Sequence, residues 1–363
     1  MKKYLTTLKY KKYNKKHAYA QLKKRLKHKA WRKRMNKQEQ GVSRKKVKER
    51  NIHKKKYWDY ETVLAPDNFS FLENTIEIVC FIQKLLEFYD KKTKVFISLT
   101  SVWQIDYGAI VVLLSIMIKF KLNHIDFDGN FPTDPQAHAL LKKSGFLDSL
   151  FKPSIHEDRY AIIPKLTDSI HTHAWKDVDS KLGQEIISAA SKTIWGEHRR
   201  CQGVQRTLIE LMLNTNNHAE IGKTGTKHWW LSVNHSPKDK KVCFSFVDFG
   251  VGVITSLNNK PHNSKFHNWL NKLTKHYTFS NNAELLRLIL EGKLHLTVTD
   301  KHFRGKGLPG IAEVQRRNQI SNLVIITNNV KADVSKNEYK LLNNSFDGTF
   351  VYWEVSNENE SCK

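Results

Sequence analysis

A chain of 363 residues, 40% hydrophobic and 26% charged, is long enough for two domains with real cores and excludes collagen-like, wholly disordered and multi-span membrane classes. Lys and Arg number 61 against 35 Asp and Glu, for a net charge of +26. Residues 1–57 hold 24 of the basic and two of the acidic residues, a balance of +22, so a near-neutral body carries a strongly basic N-terminal arm. Cys80, Cys201, Cys243 and Cys362 lie far apart with no C-x-x-C pair, which argues against a zinc site or disulfide framework. The N-terminus lacks the apolar core of a secretory signal, and the apolar run at 108–118 is too short to cross a bilayer of about 30 Å. The expectation is a soluble, cytoplasmic chain with no membrane association.

Residues 17–40 of the arm lack Gly and Pro and space Leu22, Leu26 and Ala30 four apart beside Trp31, which predicts a helix with a narrow apolar stripe. Tyr4, Tyr10, Tyr13, Tyr19, Trp31 and Tyr57 interleave with lysines, a composition that neutralises phosphates while offering flat faces to bases. Nucleic acid, RNA or DNA, is the expected partner, with Lys11, Lys12, Lys23, Lys24, Arg25, Arg32 and Arg34 as candidate contacts. An acidic protein, a membrane surface or a plain solvated tail are the alternatives. Nothing in the arm reads a base sequence, so binding should be salt-sensitive and non-specific.

From 58 to 152 the pattern turns globular. An apolar helical pattern at about 70–89 precedes a strand at 94–99 and a turn over Gln104–Gly108. A helix at about 109–120, a strand near 124–128 and the amphipathic stretch PQAHALLKKSGFLDSL follow. This alternation predicts an α/β unit of roughly 90 residues. The run V-F-I-S-L-T-S-V-W-Q-I-D-Y-G-A-I, a strand, an Asp turn and a helix, resembles the STAS domain of anti-sigma-factor antagonists, and HALLKKSGFLD resembles its final helix. The resemblance implies a domain that docks a protein partner and does no chemistry. That family carries a phosphorylatable Ser after the Asp; here Asp106 is followed by Tyr107 and Gly108, one residue shorter and without the Ser.

Residues 153–180 read as a connector with a short strand candidate at Tyr160–Ile163. Its His171-x-His173 pair has no Cys, Asp or further His beside it at ligand spacing, so a metal there is not favoured. Leu182, Ile186, Ile187, Ala190 and Ile194 share one face of a predicted helix over 181–195, with Ser180 as its N-cap.

Residues 204–219 predict a helix in which Glu210, Asn214 and His218 recur every four positions on one side, while Leu208, Leu211 and Met212 point elsewhere. A carboxylate can act as general base, an Asn carbonyl is a hard oxygen ligand suited to Mg²⁺, and a His can reach a phosphate. A half-exposed polar helix edge is the plain alternative. After a strand candidate at 228–234, KVCFSFVDFGVGV runs an apolar strand into Asp248, Gly250 and Gly252. A carboxylate there can accept from an exocyclic amine, and the glycines let backbone approach a flat ring. RGKGLPGI at 304–311 sets Gly305, Gly307 and Gly310 ahead of a helix, which suits phosphates held by backbone N–H groups. Strands at 322–329 and 348–356 close the sheet; a glycine pair by itself more often marks a turn.

In this order and spacing, Glu-x-x-x-Asn-x-x-x-His, Asp-x-Gly-x-Gly, Gly-x-Gly-x-x-Gly and a final Gly-Thr resemble the N, G1 and G2 boxes of the GHKL ATPases. That superfamily spans gyrase, Hsp90, histidine kinases, mismatch-repair ATPases and anti-sigma serine kinases. The resemblance covers 181–357, ahead of a short tail at 358–363. It implies a Bergerat-type α/β sandwich, a mixed sheet with helices on one face, holding ATP and Mg²⁺ between helix and lid. It implies Asn214 as Mg²⁺ ligand, Glu210 as the acid/base residue, and Asp248 as the reader of adenine. Gly250 and Gly252 stand beside Asp248, and Thr349 supports it through water. It further implies Gly305, Gly307 and Gly310 as lid glycines near the phosphates, Lys306 as added charge, and His218 as the end of the N box.

Pro309 inside the G2 box departs from the family, and the long basic stretch at about 253–304 implies a lid with helices of its own. Glu at 210 favours an ATPase or serine kinase over an ordinary histidine kinase, where Asn often stands. The expected function is a slow, Mg-dependent ATPase whose nucleotide state regulates partner or nucleic-acid binding. The alternatives are an anti-sigma-type protein serine/threonine kinase and a non-enzymatic nucleotide-gated interaction module. A homodimer is implied by the resemblance alone.

Overall fold

A computed structural model describes residues 12, 15–21, 23–25, 27, 57, 59–151, 170–173, 178, 180–218, 229–258, 281–293 and 307–360. The chain divides into two compact units, Met1–Tyr60 and Glu61–Lys363. In the first, residues 12, 15–21, 23–25 and 27 are helical and exposed, so Lys12, Lys23, Lys24 and Arg25 face water. Lys11, Arg32 and Arg34 lie outside the described residues.

The second unit is α/β, with both parallel and antiparallel sheets. β1 (Glu61–Leu64), β3 (Val95–Ser98) and β5 (Phe127–Gly129) pair in parallel in the order β1-β3-β5, and β2 (Asn68–Phe69) pairs in parallel with β4 (Gln104–Ile105). The crossovers are α1 (Thr75–Asp90) and α2 (Tyr107–Leu122); α3 (Pro135–Lys143) and α4 (Phe146–Phe151) follow. β1 and β2 carry no predictive pattern, because β1 buries only Val63 of its four residues and β2 has two residues in all.

α1 buries Ile78, Ile82, Leu85 and Tyr89 at helical spacing and keeps a wet face. In α2 burial is unbroken from Gly108 to Ile118 and takes in Phe120. A helix apolar on every side must be covered on every side. Asp106 fixes where it starts: Oδ1 accepts the Ala109 N–H at 2.6 Å, and Oδ2 accepts the Ser70 hydroxyl at 2.5 Å and the Leu72 N–H at 3.3 Å. The Asp turn is thus a helix cap tied to the β2–α1 loop, and the hydroxyl beside the Asp is that of buried Ser70.

The third sheet runs β6-β7-β8-β10-β9. Its strands are β6 (Ile170–His173), β7 (Trp229–Ser236), β8 (Lys241–Asp248), β9 (Ser321–Asp333) and β10 (Glu338–Ser356), each pair antiparallel. Period-two alternation gives it two apolar faces. Trp229, Leu231, Phe244, Phe246, Ile325, Val351 and Trp353 pack in one core with α5 (Ser180–Trp195), α6 (Gln202–His218), α8 (Asn282–Leu290) and α9 (Gly307–Arg316). Trp230, Val247, Val324, Ile326, Phe346 and Phe350 join the core of α1 and α2. Among the described residues this sheet is wholly antiparallel, where a mixed sheet is expected; the helices of 181–357, α5, α6, α8 and α9, share one face, and α2 of the preceding segment, which needs a second apolar wall, covers the other.

Other differences are local. β6 lies within the expected connector, β9 extends to Asp333, and β10 starts at Glu338 after a turn with Asn337 at φ 55°. Register shifts between Leu341 and Thr349 had hidden the first part of β10 from pattern reading. The strand candidate at Tyr160–Ile163 lies outside the described residues. Pro309 is the third residue of α9, in the first turn, where an amide N–H has no partner within the helix. Cys201 is disulfide-bonded, although the cysteine spacing argues against a disulfide framework, while Cys80 and Cys243 are free. Among the described residues no helix is long and apolar enough to cross a membrane.

Phe350 ties the halves together: fully buried, it meets Phe71 edge-on at 4.6 Å, and a Cβ added at Gly108 would lie 2.8 Å from its ring. Phe350→Ala is expected to cost about 3–5 kcal/mol. Circular dichroism and tryptophan fluorescence should then report one shared unfolding transition for the second unit; separate transitions would show independent halves.

Candidate functional site

The site begins where β8 ends. Asp248, the last residue of that strand, sits opposite Thr349 of β10 and is 9% exposed. Its carboxylate accepts from Thr215 Oγ1 at 3.4 Å and from the Gly250 and Thr349 N–H groups. Burial pushes its pKa up to about 7, against those hydrogen bonds and the charge of Lys119.

The Asp-Phe-Gly-Val-Gly loop and the following α7 (Val253–Asn258) are held by two adjacent side chains of β9. Thr327 Oγ1 accepts the Val253 N–H at 2.9 Å and donates to the Gly348 carbonyl at 2.9 Å. Asn328 Oδ1 accepts the Ile254 N–H at 2.9 Å, while Nδ2 donates to the Val251 carbonyl and to Thr255 Oγ1, each at 2.8 Å. Two glycines are required by close approach. A Cβ at Gly252 (φ +75°) would lie 2.5 Å from Asn328 Oδ1, and one at Gly348 (φ +149°) would lie 2.1 Å from the Asp248 carbonyl oxygen.

Glu210 and Asn214 stand one turn apart on α6, against the start of α9. The Gly307 N–H donates to the Glu210 carboxylate, and a Cβ at Gly307 would lie 3.7 Å from Asn214 Oδ1. Burial raises the Glu210 pKa, with Arg206 and the Gly307 N–H opposing it, which favours a carboxyl that takes up a proton readily.

The fold thus brings Glu210, Asn214 and Gly307 to one place. Thr215, next to Asn214 in the chain, reaches Asp248 beside Gly250, Gly252 and Thr349. Gly310 is buried within α9. His218 closes α6, its side chain lying outside the described residues, as do Gly305 and Lys306. Sequence reasoning missed Thr215, Thr327, Asn328 and Lys119, single polar residues that form no motif. The Thr-Asn pair ending the apolar run of NLVIITNN was the available signal. Among the described residues no group of three His, Cys, Asp or Glu could hold a metal.

A scan against protein-family models and a search of curated proteins found no match.

The raised Asp248 pKa has a consequence for stability. An unfolded Asp titrates near 3.9, so from there up to about pH 7 the folded chain holds a proton that the unfolded chain has released. Stability therefore falls as pH rises through that window. Asp248→Asn should raise the thermal midpoint of the ligand-free protein, with a gain that grows from about pH 4 to about pH 8; calorimetry at the two ends checks the trend.

Proposed function

We propose that this site binds an adenine nucleotide with Mg²⁺, as its likeness to the GHKL boxes implies, and that the chain is a slow ATPase whose nucleotide state controls partner binding. The observation that carries the reading is convergence. Five residues between 210 and 349 meet in one unit: Asp248 with Thr349 at a strand end, and Glu210 and Asn214 at the start of α9 beside Gly307.

In this reading Asp248 accepts from the exocyclic amine of the base, and its burial makes that acceptor strong once it is ionised. The start of α9 presents backbone N–H groups to phosphate oxygens, with Gly305 and Lys306 just ahead of it in sequence. Asn214 would hold Mg²⁺, which would supply positive charge against the phosphates. Glu210 takes the proton of the attacking water as its oxygen bonds to the γ-phosphorus and the bond to the β–γ bridging oxygen breaks, releasing ADP. The STAS-like half docks a protein partner, and the basic arm tethers the chain to nucleic acid.

Three outcomes test this. With ATP labelled at the γ-phosphate, label should appear as free phosphate with wild-type protein and be lost with Glu210→Ala; label retained on protein would indicate kinase chemistry. Asp248→Asn turns an acceptor into a donor and should weaken ATP binding by about 1–3 kcal/mol; unchanged affinity would sink the base-binding role. Deleting residues 1–56 should leave ATP affinity intact and abolish salt-sensitive retention on immobilised nucleic acid.

A further inference from the structure

We infer that Lys119, carried by α2 to the base-binding end of the five-stranded sheet, is a positioning residue for the nucleotide. Its ammonium favours the ionised form of Asp248, the form that accepts from the exocyclic amine, so the STAS-like half completes the pocket. The inference rests on the adenine-nucleotide reading above.

Lys119 lies in the last turn of α2, the helix that packs on β7 and β8. Its Nζ stands 4.1 Å from the centroid of the Phe249 ring, and Phe249 is the residue between Asp248 and Gly250. The ring is itself wedged edge-on against Phe346 at 5.6 Å, which fixes the platform on which the ammonium rests. The charged groups facing Lys119 are Asp248 of β8, Asp347 of β10 and Asp90 at the end of α1. Facing Asp248 are the Thr215 hydroxyl, the Gly250 and Thr349 N–H groups and the Lys119 charge. Partial burial lowers Lys119 to about 8, so it still carries its charge where Asp248, at about 7, is half ionised. Removing the ammonium takes away an attraction for the ionised form only, so Asp248 would hold its proton to higher pH. A nucleotide that needs the carboxylate then binds less well near neutrality and recovers in alkali.

The test is calorimetric titration of the full-length protein with AMP-PNP and Mg²⁺ from about pH 6 to about pH 9. Wild-type affinity should fall as pH drops through about 7. Lys119→Met keeps the stem that packs on Phe249 and loses the charge. Its fall should move up by as much as about one pH unit, with roughly 2–5-fold weaker binding near pH 7 and near-wild-type binding at the alkaline end. Lys119→Arg should follow the wild type. If Lys119→Met does not fold, Lys119→Gln carries the same expectation. A neutral variant with the wild-type profile, or one weakened equally at every pH, overturns the inference and leaves the base-binding reading in place. A wild type that binds no AMP-PNP, or an Asp248→Asn protein that binds as well as wild type, overturns both.

Discussion

One helix that no single sheet can cover sets the plan of the second unit. α2 has buried side chains around its whole circumference, and leaving one flank in water would forfeit roughly 1.5–3 kcal/mol for each large apolar residue exposed. The small parallel sheet and α1 serve one side of it, and the five-stranded sheet serves the other. Polar contacts then fix the fit. Gln83 Nε2 donates to the Ser345 carbonyl at 2.7 Å, and Lys331 Nζ donates to the Leu72 carbonyl and to Thr75 Oγ1. Each joins the α1 region to β9 or to the irregular part of β10, so the long hairpin is braced by the half of the unit that precedes it.

The candidate site comes at a cost in stability. Asp248 is a carboxyl placed where water cannot solvate it, held by one hydroxyl and two backbone amides. Thr327 and Asn328 have no chemistry of their own in the proposed reaction, yet they make four hydrogen bonds to the loop and helix start that follow Asp248 and a fifth to the Gly348 carbonyl of β10. A rigid frame around a destabilising group is the usual arrangement where binding, rather than folding, sets the requirement.

What the sequence disclosed depended on how local the cause was. α1, α2, α5 and α6 announced themselves by helical spacing or unbroken apolarity, and β7 and β8 by apolar runs ending in turns. Glu210, Asn214 and Asp248 stood out because their order and spacing resemble a known set of boxes. The rest was set by tertiary partners. β1 is too exposed to show a pattern, β6 forms only because β7 offers it an edge, and the start of β10 is masked by its irregular register. The likeness of Asp106 to a phosphoacceptor turn was local as well, whereas its role as a cap depends on Ser70, which lies 36 positions earlier. Lys119 could not be singled out at all, since its place over Phe249 follows from which wall α2 leans on.

The face of the five-stranded sheet turned to α1 and α2 also bears on how such a chain can change over generations. Trp230, Val247, Val324, Ile326, Phe346 and Phe350 give that face as apolar a character as the one beneath the helices. Recombination in the segment between the halves would deliver a sheet with one bare side, a sticky surface that invites self-association. The two halves are thus not interchangeable cassettes, and drift at this seam has to proceed by paired replacements, one on α1 or α2 and its counterpart on the strand facing it.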